Sequence, residues 1–398
     1  MNYPDPDNVP AIWEIGDVIL EKYEVKQVFT GGGMGLVYRV YHRDWDIDLA
    51  VKSPRPEFFQ TQQHIENFEC EAETWVNLGL HPHTVSCYYV RRLGGIPRIF
   101  SEFADGGSLA DWIRSRRLYE GGQDKAMEKI LDVAIQFAWG LQYAHKQGLV
   151  HQDVKPGNVL MFAGGTVKVS DFGLANALHD SLEDTANTAR PGQSIMVPGS
   201  GFMTPSYASP EQLRGEALSQ KTDVWSWAVS LLEMLVGEVT WASGLAAPAV
   251  LGQLEDHQVG NDLLSLLAMS FGTKVPKRLT TFAPVLELLM RCYTSRFGSY
   301  PRSQPDEVRL VAPSLNNRAI SLLELGKAHE AEESWNAAIL IEASHAETIY
   351  NHGIHKWRHG KIDDVELMRS LLLCHETSGR REITARFLGE ICNERGDL

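Results

Sequence analysis

The feature that most constrains this chain is a polar loop, HQDVKPGN at residues 151–158, set between two strongly patterned apolar segments. Before it, AMEKILDVAIQFAWGLQYAHKQG has the apolar periodicity of a long amphipathic helix that ends at Gly148. After it, VLMFAGGTVKVSD places two short apolar runs around Gly164 and Gly165, which predicts a hairpin, and DFG starts at Asp171. The three segments predict a helix, a polar loop and a hairpin, with carboxylates beside the loop.

The residue types in and after this loop suit phosphoryl transfer. That reaction needs a carboxylate to orient an attacking hydroxyl, a cation to offset negative charge, and oxygen ligands for magnesium. Asp153 fits the first role and Lys155 fits the second. Asn158 and Asp171 fit the third, because magnesium prefers a few protein oxygens plus phosphate and water. Taken singly, each residue also suits a turn or a helix cap; the order of the signals favours catalysis.

Two further signals precede the loop. TGGGMGLVY, residues 30–38, is a glycine-rich turn whose backbone amides can approach phosphate oxygens; the alternative is an ordinary hairpin. Lys52 lies in LAVK, an apolar strand where a charge needs a partner; the alternative is a lysine whose charged end reaches solvent. We expect a glutamate of the next helical segment to pair with Lys52, with Glu71 as first candidate and Glu69 and Glu73 as fallbacks.

Together with SPE at residues 209–211, this ordered set of motifs resembles the protein kinase family from about Gly16 to Leu310. DVKP and TPSYASPEQL are similar to the serine/threonine class, and GGMGLVY and SPEQ most resemble bacterial members. The resemblance implies an α+β, bilobal protein-kinase fold at residues 16–310, after a flexible lead-in at 1–15. A small sheet-rich N-lobe would cover about 16–104, and a helical C-lobe about 105–310.

The resemblance also implies cofactors and roles: ATP, Mg²⁺ and a protein substrate. Lys52, Glu71, Asp153 and Lys155 would be catalytic, and Asn158 and Asp171 would hold the metal. Thr204, in contact with Asp153 and Lys155, and Glu211 would shape the ledge for a peptide, with Asp223 supporting the loop from beneath. The residues implied for ATP are Gly31, Gly32, Gly33, Gly35, Val37, Ala50, Lys52, Glu102, Ala104 and Leu160.

Two departures concern phosphate groups. Thr30 stands where the first glycine of the family's loop is expected, so we expect altered nucleotide affinity rather than its loss. Gln152 stands where arginine normally pairs with a phosphate on the activation segment, and glutamine forms only the weaker, uncharged hydrogen bond. The segment 176–205 carries more acids than bases. We therefore expect a competent loop whose activity does not depend on activation-segment phosphorylation.

A third departure concerns the partner of Glu211. The family usually has an arginine directly before a proline near the end of the domain, but Tyr300 precedes Pro301 here. A buried glutamate without a cation would be destabilising. We expect Arg302 or Arg296 to replace the missing arginine.

The last part of the chain repeats itself at an interval of 34 residues. NNRAISLLELGKAHEAEESWNAAI is followed by YNHGIHKWRHGKIDDVELMRSLLL, and TARFLGEICNERGDL is a partial third copy. The matching residues are Asn317 with Asn351, Ala319 with Gly353, and Gly326 with Gly360. The period predicts tetratricopeptide repeats at 313–398, forming a short α-solenoid; the alternative is two unrelated helix pairs. Such a stack would bind a partner protein or peptide, or else buttress the large lobe. We expect the native chain to continue past Leu398.

Composition restricts the partners. The net charge of −14 disfavours nucleic acid and anionic membranes, which attract basic surfaces. The longest apolar run, residues 224–236, is too short to span a bilayer. Five scattered cysteines without a Cys-x-x-Cys pair favour reduced thiols, and residues 1–17 lack the pattern of a signal peptide. A cytoplasmic protein is expected; the oligomeric state is left open.

Three functions fit these patterns. The leading hypothesis is an active serine/threonine protein kinase with a C-terminal protein-interaction module. The alternative is a pseudokinase scaffold, which the presence of Lys52, Asp153, Asn158 and Asp171 disfavours. A phosphotransferase for small molecules is the third, and the SPE segment with Thr204 disfavours it because these residues suit a peptide ledge.

Overall fold

The computed structural model describes residues 5–30, 35–56, 62–172, 195–197, 201–254, 259–272, 278–305, 311–377 and 381–395. These residues form two compact units. The larger unit comprises Ile12–Ser86 and Ser101–Val308, and the smaller unit comprises Met1–Ala11, Cys87–Phe100 and Arg309–Leu398.

The amino-terminal part of the larger unit is an antiparallel ladder. Its strands are β1 (Val18–Ile19), β2 (Tyr23–Phe29), β3 (Gly35–His42) and β4 (Ile47–Pro54), paired in that order. Every second residue of β3 is buried, as a strand with one covered face requires. Helix α1 (Gln62–Leu78) follows and buries Ala72, Trp75 and Leu78, so the predicted helical spacing is observed.

The remainder of the larger unit is mostly helical. Its helices are α2 (Leu109–Arg114), α3 (Gln123–Lys146), α4 (Pro210–Leu213), α5 (Gln220–Val236), α6 (Asn261–Phe271) and α7 (Phe282–Phe297), with a 3₁₀ segment at Gly244–Gln253. Its short strands are β7 (Val159–Met161), β8 (Val167–Val169), β9 (Ile195–Val197) and β10 (Gly201–Met203). β7 pairs with β8 and β9 with β10, both antiparallel.

Helix α5 is buried along most of its length and lies at the centre of the helical core. Its serines explain how polar residues are accommodated there. Ser226 Oγ donates to Thr222 O at 3.2 Å, and Ser230 Oγ donates to Ser226 O at 2.8 Å. Within the described part of the chain no helix is long and apolar enough to cross a membrane.

Helix α3 approaches a neighbouring backbone so closely that one position requires glycine. A Cβ atom on Gly140 would lie 2.2 Å from the carbonyl oxygen of His83 and 2.8 Å from a methyl group of Val169. Val169 ends β8, and its N–H donates to the same His83 oxygen at 3.0 Å. The glycine therefore lets α3 pack directly against the strand that leads to Asp171.

The described residues of the smaller unit form a hairpin, five α-helices and a short 3₁₀ turn at Pro6–Asn8. Strand β5 (Cys87–Leu93) and strand β6 (Ile96–Glu102) are joined by Gly94 and Gly95, both at positive φ, and β6 continues into the larger unit at Ser101. The helices are α8 (Ala312–Glu324), α9 (Ala328–Ile341), α10 (Ala346–Arg358), α11 (Asp364–Thr377) and α12 (Arg381–Arg395).

The helices of the smaller unit recur at the predicted interval. α8 begins at Ala312 and α10 begins 34 residues later, at Ala346. Gly326 and Gly360 both adopt positive φ after these helices. A Cβ atom on Gly353 would lie 2.5 Å from Leu367 Cδ1, so α10 and α11 pack closely at this position and a larger residue would require the leucine side chain to move. The helix pairs are thus present, and their assignment as tetratricopeptide repeats remains a prediction.

Candidate active site

Lys52 meets two carboxylates in the larger unit. It lies on β4 opposite Val37, and its Nζ is 2.6 Å from Glu71 Oε1 and 2.8 Å from Asp171 Oδ1. Of the three glutamates considered on the helical segment, Glu71 is the one in contact. Burial alone would lower the pKa of Lys52, but the Asp171 and Glu71 carboxylates outweigh it and raise the pKa. The lysine is therefore held as a cation.

The polar loop forms a second cluster. Asp153 Oδ1 accepts a hydrogen bond from Thr204 Oγ1 at 2.7 Å, and Asp153 Oδ2 is 2.8 Å from Lys155 Nζ. Lys155 Nζ also donates to Thr204 Oγ1 at 2.8 Å. Burial would raise the pKa of Asp153, but Lys155 and Thr204 outweigh it and hold the pKa below its ordinary value. An ionised carboxylate thus lies beside one lysine, with Thr204 in the expected contact with both.

The carboxylate of Asp223 supports the polar loop by accepting hydrogen bonds from the loop's backbone. The N–H groups of His151 and Gln152 donate to the two Asp223 oxygens, each at 2.8 Å, and His145 Nε2 lies 2.7 Å from Oδ2. Gln152 has a positive φ of 68°, which is unusual for a residue with a side chain. Its carbonyl accepts from Gln212 Nε2 at 2.6 Å, so contacts on both sides of the peptide hold this strained conformation.

The hairpin β7–β8 brings the two predicted metal-binding residues to one end. Val159 pairs with Val169, and Ser170 N–H donates to Asn158 O at 2.9 Å. Asn158 Nδ2 donates to the Asp153 carbonyl at 2.8 Å, which leaves the amide oxygen for a cation. Asp171 supplies the carboxylate. One amide oxygen and one carboxylate fit Mg²⁺, which keeps water and phosphate oxygens as its other ligands.

The residues predicted around ATP are placed as follows. Val37 and Ala50 lie on β3 and β4, Leu160 lies on β7, and all three are half-buried. Glu102 ends β6, Ala104 follows it, and Gly35 starts β3. Gly31, Gly32 and Gly33 lie outside the described residues, as does most of the activation segment. The ATP-binding roles remain predictions.

The partner of Glu211 differs from the expected one. Glu211 Oε1 contacts Arg278 Nη2, and Thr222 Oγ1 donates to the same oxygen at 3.1 Å. Burial would raise the pKa of Glu211, but these contacts lower it. The expectation that Arg302 or Arg296 takes this place is wrong. The sequence signal for the observed pair was PKRLT, just before α7.

The two expected arginines have other partners. Arg302 Nε is 2.9 Å from Asp132 Oδ1, and its Nη2 donates to the carbonyl of Gly165 at 3.0 Å. Arg296 pairs with Asp124 at 3.0 Å. Arg302 thus braces the turn of the β7–β8 hairpin against α3, which explains why it is unavailable to Glu211.

Sequence reasoning missed a buried acid beside the loop. Glu233 lines a cavity of about 590 Å³ together with Lys155, Gly157 and Tyr207. Tyr207 Oη donates to Glu233 Oε2 at 2.6 Å, while burial raises the pKa of Glu233 to about 7. In the sequence this glutamate only interrupted an apolar run. An acid in such a run is the signal that could have identified it.

A second missed contact fixes the end of β6. Lys168 Nζ lies 2.7 and 2.6 Å from the two carboxylate oxygens of Glu102, and the N–H of Ser86 donates to Glu102 Oε1 at 2.6 Å. Lys168 belongs to β8, three residues before Asp171. Glu102, which is predicted to bind ATP, is therefore held by the strand that precedes Asp171, a predicted metal ligand.

Comparison with known proteins identifies the class. The family model described as protein kinase domain matches residues 23–292. Since the matched residues make up more than half of the chain, the chain belongs to the protein kinase family and has its fold, with a sheet-rich amino-terminal part followed by helices.

Three bacterial proteins are among its relatives. The chain is 30% identical to a probable serine/threonine-protein kinase of Clostridium acetobutylicum, over 62% of this chain and 34% of that protein. It is 30% identical to the serine/threonine-protein kinase PrkC of Bacillus subtilis (61% and 34%). It is 31% identical to the serine/threonine-protein kinase PknB of Mycobacterium tuberculosis (55% and 33%). The matched part covers about a third of the length of these relatives.

Proposed function

We propose that this chain is an active serine/threonine protein kinase that uses ATP and Mg²⁺ to phosphorylate a protein substrate. The observation that carries the proposal is the contact of Lys52 with both Glu71 and Asp171. A pseudokinase scaffold does not require a partly buried lysine held between two acids, whereas phosphate binding in kinases uses this arrangement. The names of the bacterial relatives agree with the serine/threonine class.

In this proposal Asp153 accepts the hydrogen of the substrate hydroxyl and aims its oxygen at the γ-phosphorus. The new oxygen–phosphorus bond forms as the bond between that phosphorus and the β–γ bridging oxygen breaks, and ADP leaves with the electron pair. Lys155 offsets the charge on the transferred group, and Lys52 holds the α- and β-phosphates. Mg²⁺ bound by Asn158 and Asp171 would supply charge neutralisation at the phosphates.

We further propose that Thr204 and Glu211 shape the peptide-binding ledge. Thr204 contacts both Asp153 and Lys155, so a hydroxyl beside Asp153 would also lie beside Thr204. Arg278 neutralises the buried Glu211 and thereby supports the start of helix α4. These contacts favour a peptide substrate over a small molecule.

The loop supports activity without a phosphorylated activation segment. In the described residues Gln152 is held by Asp223 and by Gln212, and both contacts use its backbone. The loop geometry is thus fixed by groups that need no phosphate. Thr185, Thr188, Ser194 and Ser200 are candidate phosphate acceptors of that segment and lie outside the described residues.

The remaining assignments are also proposals. The domain boundaries stay at 16–310 and 313–398, and the helical module is proposed to contact proteins, because stacked helix pairs offer extended surfaces. A cytoplasmic location without nucleic-acid or membrane partners is supported by the net charge of −14 and by five scattered cysteines that form no Cys-x-x-Cys pair.

The test is label transfer from γ-labelled ATP with Mg²⁺ to a generic basic protein, using phosphatase-treated wild type beside Asp153→Asn. We expect transfer by the wild type and a loss of at least about a hundredfold in the variant, the usual contribution of a positioned base. ATP binding by both proteins without any transfer would favour the scaffold instead. Transfer that appears only before phosphatase treatment would contradict phosphate-independent activity, and transfer to small alcohols alone would contradict the peptide ledge.

A further inference from the structure

Strand β5 of the smaller unit is an edge strand. It pairs with β6 on one side and is the last strand in the order of its sheet, so its other side has no strand neighbour among the described residues. Such an edge exposes backbone N–H groups that must bind water, another chain or a covering element. Val90 and Arg92 are two residues apart, so their N–H groups point to the same side of the strand.

Helix α8 supplies acceptors for both groups. Val90 N–H donates to Ser321 Oγ at 2.9 Å, and Arg92 N–H donates to Glu324 Oε2 at 3.1 Å. Ser321 and Glu324 are three residues apart and therefore share one face of the helix. Ser321 Oγ also donates to Asn317 O at 2.7 Å, which directs a lone pair of the hydroxyl towards the strand. Two side chains of α8 thus replace a neighbouring strand.

Burial shows that this contact is part of the core of the smaller unit. Ser321 is 1% exposed, and Val90 and Leu93 are 0% exposed. Burial raises the pKa of Glu324, while the Arg92 N–H and the nearby charges of Arg91 and Arg92 oppose that rise. Buried polar side chains in proteins are nearly always hydrogen-bonded, and here the N–H groups of the strand are the partners of Ser321 and Glu324.

The other part of the hairpin is held by the segment near the amino terminus. Gly94 N–H donates to Pro6 O at 2.8 Å. Arg98, which is 0% exposed, donates from Nη2 to Pro10 O at 3.0 Å and to Ala11 O at 2.9 Å. The hairpin is therefore fixed by two segments that are far from it in sequence.

We propose that α8 is an intramolecular ligand of strand β5, and that Ser321 and Glu324 are positioning residues for nucleotide binding. Strand β6 is the partner of β5, and its last residue, Glu102, is one of the residues predicted to bind ATP. This step rests on the proposed kinase function. It also revises the expected partner site, because this face of α8 is occupied by the chain's own strand.

The test uses the full chain with three variants. In Ser321→Ala/Glu324→Ala we expect the amides of Val90 and Arg92 to exchange hydrogen about tenfold faster or more. We also expect the KM for ATP to rise about threefold or more with little change in kcat. Ser321→Thr/Glu324→Gln keeps both acceptors and should restore both values. Ser370→Ala is the control, because its hydroxyl bonds only the Glu366 carbonyl of its own helix among its described contacts.

Each of the other outcomes contradicts one part of the proposal. Unchanged exchange in the double alanine variant overturns the edge contact, and faster exchange with an unchanged KM overturns the positioning role. If the wild type binds ATP but transfers no phosphate, the proposed kinase activity is wrong, and the positioning role is still tested. The dissociation constant for ATP in the same variants then replaces the KM as the measurement. A wild type that binds no ATP overturns both.

Discussion

At the scale of single residues, the buried carboxylate of Glu211 pairs with an arginine that is distant in sequence. Glu211 and Arg278 are 67 residues apart in sequence, yet they form an ion pair with side chains 4% and 16% exposed. Arg302 lies close to the position where the family usually has an arginine, but it contacts Asp132 instead. Removing one member of a buried pair leaves an unpaired charge, which is more destabilising than losing a surface contact.

Arg278→Met is therefore expected to lower the free energy of unfolding by about 3–5 kcal/mol, since Glu211 stays buried without a cation. Urea denaturation at neutral pH measures the change. Arg296→Met is the matched control, because Asp124 is 83% exposed and surface pairs contribute about 0–1 kcal/mol. Adding Glu211→Gln should recover part of the loss. Equal effects of the two arginine variants would contradict the assigned pair.

At the scale of elements, local patterns were informative. The helix before the polar loop, the hairpin after it and the apolar spacing of α1 all follow from periodicity and turn residues. The short strands β1, β9 and β10 carried no comparable signal, because two or three residues are too few for alternation to show. Close packing between elements was equally hidden, and Gly140 is an example.

Gly140→Ala is expected to destabilise the larger unit by about 1–3 kcal/mol, because the new methyl group would overlap the His83 carbonyl and either α3 or β8 must shift. Gly389→Ala on α12 is the control. Nothing lies within 4 Å of a Cβ built there, so alanine should stabilise the helix by about 0.5–1 kcal/mol. Denaturation midpoints of both variants check the prediction, and a stabilised Gly140→Ala would refute the close approach.

At the scale of the whole molecule, the state of the buried titratable groups sets how stability depends on pH. The larger unit places ionised groups in pairs around the predicted site. In both units burial also lowers the pKa of histidines, for example His81 in the larger unit and His352 in the smaller unit. His352 is 3% exposed and stacks on Trp335 with ring centroids 5.3 Å apart. Burial, together with the nearby charge of Lys356, lowers the pKa of His352 to about 4.

The smaller unit should therefore lose stability in acid. Between pH 6.5 and about 4 the unfolded chain binds a proton that the folded His352 does not, so stability is complete above pH 6.5 and falls as the pH decreases. The loss should be about 2 kcal/mol at pH 5 and should reach about 3 kcal/mol only below pH 4. Hydrogen exchange of α10 peptides at pH 5 and 7.5 measures it. His352→Phe should flatten the dependence, whereas exposed His329→Gln should not; parallel curves for wild type and His352→Phe would disprove the assignment.

The sequence by itself determined the family motifs, the candidate residues Lys52, Asp153, Asn158 and Asp171, and the 34-residue interval of the helix pairs. These features depend on residue type and short spacing, which local backbone geometry converts directly into structure. Tertiary structure selected Glu71, the first of three candidates, as the partner of Lys52, and it alone decided that Arg278 meets Glu211 and that α8 covers β5. Those choices join segments distant in sequence, and a buried charge or an open strand edge is satisfied by whichever group the fold brings within reach.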